Sequence, residues 1–202
     1  MKLNPRFTTH VLQALAVGAA LASTASAGCG DVSSLQAPFQ FAQSQAVAMA
    51  PRAQGSNPLL ISANPIGMWN VQFISQGNGG HTPSIPDGAI IDFGYTQWHS
   101  DGTEILNSGA HAANTGNFCL GIWVRTGMFT YEVNHFALSY DGTSGALVNK
   151  VNIREQITLD PSGDQYSGTF TINIFNAAGT QQVDHLVGNI AATRVTIGQT
   201  TP

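Results

Sequence analysis

From Gly67 onward, apolar and polar residues alternate with a period of two, and short clusters of turn-forming residues separate one run from the next. Period two marks extended backbone with one buried face, because successive Cβ atoms along a strand point to opposite sides. The turn signals are Gly77-Asn78-Gly79-Gly80, Asp87-Gly88, Asp101-Gly102, Gly109 to Gly116, Thr126-Gly127, Asp141-Gly142, Pro161-Ser162-Gly163 and Ala178-Gly179. Between them lie eight predicted strands, at about 68–76, 89–99, 103–107, 117–125, 128–140, 147–159, 165–176 and 181–197, rich in Val, Ile, Thr, Phe and Tyr. In the cleanest of them Trp69, Val71 and Phe73 share one face, as do Phe118, Leu120, Ile122 and Val124, and Phe170, Ile172 and Ile174; each set is expected to be buried.

Half-buried strands joined in order by short turns form an antiparallel meander most economically, and closing that meander removes two edges that would otherwise invite aggregation. The predicted fold is all-β: an eight-stranded antiparallel up-and-down barrel over residues 67–202. Eight strands leave an interior wide enough for packed side chains or one small ligand. A β-sandwich is the rival arrangement.

Residues 1–27 read as an export signal, with Lys2 and Arg6 ahead of the apolar run Val11–Ala22 and the small-x-small site Ala25-Ser26-Ala27. That run is about 12 residues, whereas a bilayer span needs roughly 20, so the mature chain is expected to carry no transmembrane segment and to be periplasmic or secreted. Lys2 and Arg6 leave with the signal, which takes the formal charge from −4 to −6. An acidic chain argues against nucleic acid as a partner, since phosphates call for a basic face. Cys29 and Cys119 are the only cysteines. In an exported chain two cysteines most simply form one disulfide, closing a loop of about 90 residues. Two other readings stay open: lipidation of Cys29 in the box-like Ser26-Ala27-Gly28-Cys29, and a catalytic Cys119. Residues 28–66 form a lead-in punctuated by Pro51, Pro58 and Pro65, partly disordered or holding a short helix at Leu35–Met49.

Gly67-Met68-Trp69 at the start of the first predicted strand resembles the G-x-W that opens the first strand of lipocalins, and the strand count and size are similar. The stretches "QWHSDGTE", "NHFALSYD" and "TFTINIFNAAG" are also similar to exported bacterial proteins. The lipocalin resemblance implies a barrel that carries a small, mostly apolar ligand, and it implies no catalytic residues.

The chain is only 9% charged, so its few titratable groups in strands stand out. A two-residue type I′ turn at Asp101-Gly102 would set His99 opposite Glu104 with both side chains on one side of the hairpin, and would spend Asp101 on local backbone amides. A carboxylate beside an imidazole prepares an acid or a base, but equally suits a solvated hairpin tip. Glu155 shares its phase with Val151, Ile153, Ile157 and Leu159 and should point inward, where it needs a partner. His135 shares its phase with Tyr131, Val133 and Ala137, although the opposite face, with Phe136, Leu138 and Tyr140, is just as apolar. Tyr95, His99, Glu104, Trp123, His135 and Glu155 are therefore the candidate ligand-lining residues. No H-x-H, H-E-x-x-H, G-x-S-x-G or phosphate-binding Gly-rich loop occurs, so neither a metal nor a cofactor is expected. Three functions follow: a carrier of a small apolar molecule; a metal-free isomerase, cyclase or hydrolase using an interior His/Glu pair; or an envelope-associated structural or interaction protein.

Overall fold

The computed structural model describes residues 64–201. The expected export signal, Cys29, the short helix expected at Leu35–Met49 and the rest of the lead-in up to residue 63 lie outside the described residues. β1 (Gly67–Ser75), β2 (Ile90–Trp98), β3 (Thr103–Ser108), β4 (Phe118–Arg125), β5 (Thr130–Tyr140), β6 (Leu147–Leu159), β7 (Gln165–Asn176) and β8 (Gln182–Arg194) form one closed barrel in sequence order. Every neighbouring pair is antiparallel, and β1 pairs with β8 from Trp69↔Arg194 to Ser75↔Gly188. The predicted strands match these elements to within a few residues. Besides the strands, the described residues hold one 3-10 turn, Ala113–Thr115, and no helix long and apolar enough to cross a membrane.

At the lower end lie the hairpins β2–β3, β4–β5 and β6–β7, the start of β1 and the end of β8. The upper end carries the loops 76–89, 109–117, 141–146 and 177–181. Side chains of the inward phase fill the lumen, among them Trp69, Phe73, Trp98, Leu106, Ile153 and Leu186, all essentially inaccessible. Near its lower end Trp69 packs edge-on against Tyr166 at 4.9 Å, and Trp98 lies between Trp123, Tyr131 and Tyr166 at 5.5 to 6.1 Å. These inward side chains form one packed apolar cluster, so the lumen is the hydrophobic core of the barrel.

Two expected faces came out as read, Trp69/Val71/Phe73 and Phe170/Ile172/Ile174 being buried. The third is reversed. On β4, Phe118, Leu120, Ile122 and Val124 point outward, and Cys119 and Gly121 take the inward phase. Alternation separates two faces without saying which is inside, and here the small residues face the crowded lumen. Cys119 is fully buried.

Candidate functional site

Three titratable side chains meet inside the barrel from three strands. Glu104 on β3, Gly121 on β4, His135 on β5 and Ile153 on β6 are directly paired in one row, and Glu155 sits opposite Val133 one step below. Residues directly opposite across strands project to the same side, so this row points into the lumen together. His135 Nε2 donates to Glu155 Oε1 at 3.0 Å, and His135 Nδ1 stands 2.7 Å from Glu104 Oε2 as an ion pair. None of the three residues is more than 4% exposed.

Gly121 makes the Glu104 contact geometrically available. It lies in the row between Glu104 and His135, and a Cβ there would fall 2.6 Å from Glu104 Oε2 and 3.0 Å from His135 Nδ1. An isolated glycine in a strand marks such a close approach, and that was the signal available in the sequence.

Burial disfavours the charged form of the His135 ring, but the Glu104 and Glu155 carboxylates outweigh it and hold its pKa up at about 10. The imidazolium thus persists at neutral pH. Burial pushes the Glu104 carboxyl up, with His135 opposing. The Tyr166 hydroxyl is pushed well above its ordinary range by burial and by the same two carboxylates.

Of the sequence candidates, the fold brings together Glu104, His135 and Glu155, and sets Trp123 at the lower rim, where its indole N–H donates to the carbonyls of His99 and Thr103 at 3.0 and 3.1 Å. Tyr95 takes the outward phase of β2 with Phe93 and Gln97, away from the lumen. The expected His99–Glu104 pair does not form. Trp98 pairs with Glu104, and His99 N–H donates to Thr103 O at 2.9 Å across a three-residue loop, Ser100-Asp101-Gly102. Gly102 has φ +87°, the left-handed residue that a three-residue hairpin loop with a bulge requires. That one extra loop residue shifts the register and turns Glu104 inward. His99 is left at the outside, with Nδ1 3.1 Å from Thr103 Oγ1. Asp101 does serve the turn, accepting from Thr103 N–H at 2.9 Å. The partner of Glu155 is His135, whereas Arg154 faces outward as expected.

Sequence reasoning passed over a second buried cluster at the upper end. Asp92 shares the inward phase of β2 with Thr96 and Trp98, the signal that could have found it. Its Oδ1 accepts from Ser108 Oγ and from Phe93 N–H, each at 2.7 Å. Burial pushes its carboxyl up, and His111, buried in the 109–117 loop, opposes that. No cluster of three or more His, Cys, Asp or Glu among the described residues has the geometry of a metal site.

The reversed face of β4 continues onto β5. Leu120 lies directly opposite Phe136, and Phe118 and Leu138 lie one position further up. Where the 109–117 loop overhangs this wall, a groove of about 560 Å³ opens to the outside, lined by Phe118, Leu120, Phe136, Leu138 and Tyr140 with Ala113 and Gly116 from the loop. A smaller cleft of about 190 Å³ lies lower on the same wall between Ile122, Val124, Glu132 and Arg154. Comparison of the chain with models of protein families, with curated proteins and with solved structures finds no match.

Proposed function

We propose that this chain is an exported binding barrel that takes a small, mostly apolar ligand in the groove on the outer wall of β4 and β5. The observation that carries this reading is the groove itself. Its volume of about 560 Å³ lies inside the range of small-molecule sites, and its aromatic and aliphatic lining is of the usual kind. The lipocalin resemblance implies the same class of ligand, but in the lumen, where Trp69, Phe73, Trp98 and their neighbours form the packed core. A metal-free acid–base enzyme is less well supported: a general base must come within hydrogen-bond reach of its substrate, and His135 is walled in on every side.

The test is titration with 1-anilinonaphthalene-8-sulfonate followed by fluorescence. Saturable binding near one dye per chain is expected, with at least a roughly tenfold loss in Leu138→Glu, because the carboxylate would be desolvated against the naphthalene and repel the sulfonate. Absence of saturable binding, or binding indifferent to Leu138→Glu, overturns the reading.

A further inference from the structure

The outer wall of β4 and β5 is apolar well beyond the groove. Phe118, Leu120, Ile122, Val124, Phe136 and Leu138 are between 44% and 65% exposed, and a contiguous patch of this kind calls for an occupant. The outward faces of β6 and β7 carry Asn152, Arg154, Gln156, Thr169, Thr171 and Asn173 instead. Every strand of the closed barrel is paired on both sides. No further strand can add to this wall, so whatever covers it does so through side chains.

The chain ahead of Asn64 has two fixed points, one at each end of the barrel. At the upper end Cys119 lies opposite Leu106 and Ala137 in the inward phase of β4, fully buried and disulfide-bonded. Cys29 is the one other cysteine of the chain. One inward step above Cys119, Ser108, Ser139 and Asn149 are buried, a polar rim that suits the backbone of a chain entering there. At the lower end Arg194 holds Ile66 O and Asn64 O. The lumen between the two ends is packed core, which leaves only an outside route.

We infer that the lead-in, residues 30–63, covers the outer wall of β4 and β5, tethered above by a Cys29–Cys119 disulfide and below at Asn64. Its reach suffices. An eleven-residue strand such as β5, tilted by ~40°, is ~28 Å tall, whereas the residues from Cys29 to Asn64 span ~110 Å when extended. That leaves slack for the upper rim and for the path round to β1. Its chemistry also matches. Asp31 and Arg52 are the only charges in the stretch, and Leu35, Phe39, Phe41, Val47 and Met49 need apolar cover, which β4 and β5 offer and the polar wall of β6 and β7 does not. The inference goes beyond the binding reading and rests on it only at the groove, where the lead-in supplies the missing side.

The test uses the full chain purified without reductant. Peptide mapping should return Cys29 linked to Cys119, and a free thiol or a lipid on Cys29 overturns the inference. With p-benzoylphenylalanine in place of Phe39, irradiation should cross-link the lead-in to peptides of β4 or β5 at the mass of one chain. Adding Ile122→Glu, at an exposed position outside the groove, should lower that yield roughly tenfold, because the lead-in would have to bury a carboxylate. Val124→Glu does the same if Ile122→Glu fails to fold. No cross-link, cross-links to other strands, a yield indifferent to both glutamates, or a product at twice the mass, which would put a second copy on the wall, each overturn the inference. Dye binding by a protein that gives no cross-link leaves the groove reading standing while the lead-in placement falls. A cross-linked chain that binds no dye leaves the placement standing while the groove falls.

Discussion

At the scale of single residues, the distinctive feature is an imidazolium held between two carboxylates in a dry core. A buried ion pair is weak evidence of stability, but removing one partner leaves an uncompensated charge and typically costs ~3–5 kcal/mol. His135 should make this visible through pH. Its pKa in the folded protein is about 10, against an ordinary value of 6.5. The folded state therefore holds a proton that the unfolded chain has lost between those values. Its contribution is complete below about pH 6.5 and declines as pH rises towards 10, with a limiting slope of ~1.4 kcal/mol per pH unit for one proton. Urea denaturation at steps from pH 6 to pH 10 should show that decline, and His135→Gln should be both less stable at pH 6 and much flatter across the range. A His135→Gln variant with the wild-type slope would remove the imidazolium from the account. How far this site was legible divides along the same residues. Glu155 could be placed inward from phase alone, because it shares its alternation with an otherwise apolar face, whereas phase left His135 open, the opposite face with Phe136, Leu138 and Tyr140 being just as apolar. Nor could the third member be placed, since the side to which Glu104 points depends on whether the loop after Trp98 has two residues or three, and Asp101-Gly102 suits both.

At the scale of elements, β4 carries most of what is unusual. Above Trp123, which packs at the lower rim, its large side chains look outward and the small Cys119 and Gly121 inward, so β4 gives the lumen room for the row Glu104, Gly121, His135 while offering an apolar wall to the outside. Alternation revealed the strand and its two faces. It could not reveal the polarity, because the apolar set is the outer one and ordinary burial logic assigns it to the core. Gly121→Ala tests the inner side. The new methyl would sit 2.6 Å from Glu104 Oε2, and that carboxylate can retreat only by giving up His135 Nδ1 within a packed interior. The expected cost is ~2 kcal/mol, the usual size of an overpacking effect, in the midpoint of urea unfolding. The decline of stability above neutral pH should also become shallower, since one of the two carboxylates holding the His135 pKa up has moved away. Loss of stability with an unaltered pH slope would point to plain crowding and leave the Glu104 contact without a role.

At the scale of the whole molecule, the order and number of strands were readable because turn residues interrupt the alternation at each reversal. Closure followed because it removes the two edges that an open meander would leave exposed. What the pattern could not supply is the device that secures the seam. β8 returns to β1, and at the lower end Arg194 lies over the Trp69 ring with its guanidinium carbon 4.2 Å from the centroid. The same side chain donates from Nε to Gly163 O at 2.6 Å, from Nη1 to Ile66 O at 2.7 Å and from Nη2 to Asn64 O at 2.6 Å. One residue thereby ties β8, the β6–β7 hairpin and the segment entering β1, while Trp69 Nε1 donates to Pro65 O at 2.7 Å beneath it. Only the planar fork of a guanidinium can stack on an indole and direct separate N–H groups to three carbonyls at once; an ammonium presents a single point. Arg194→Lys should therefore cost ~2–3 kcal/mol in urea unfolding despite keeping the charge, from lost hydrogen bonds and lost stacking. Combining it with Trp69→Phe should cost less than the two changes taken separately, with a coupling of ~0.5–2 kcal/mol, because each single change already weakens the stack. A lysine tolerated at less than ~0.5 kcal/mol, the size of an ordinary surface substitution, would mean that β1–β8 pairing alone holds the seam.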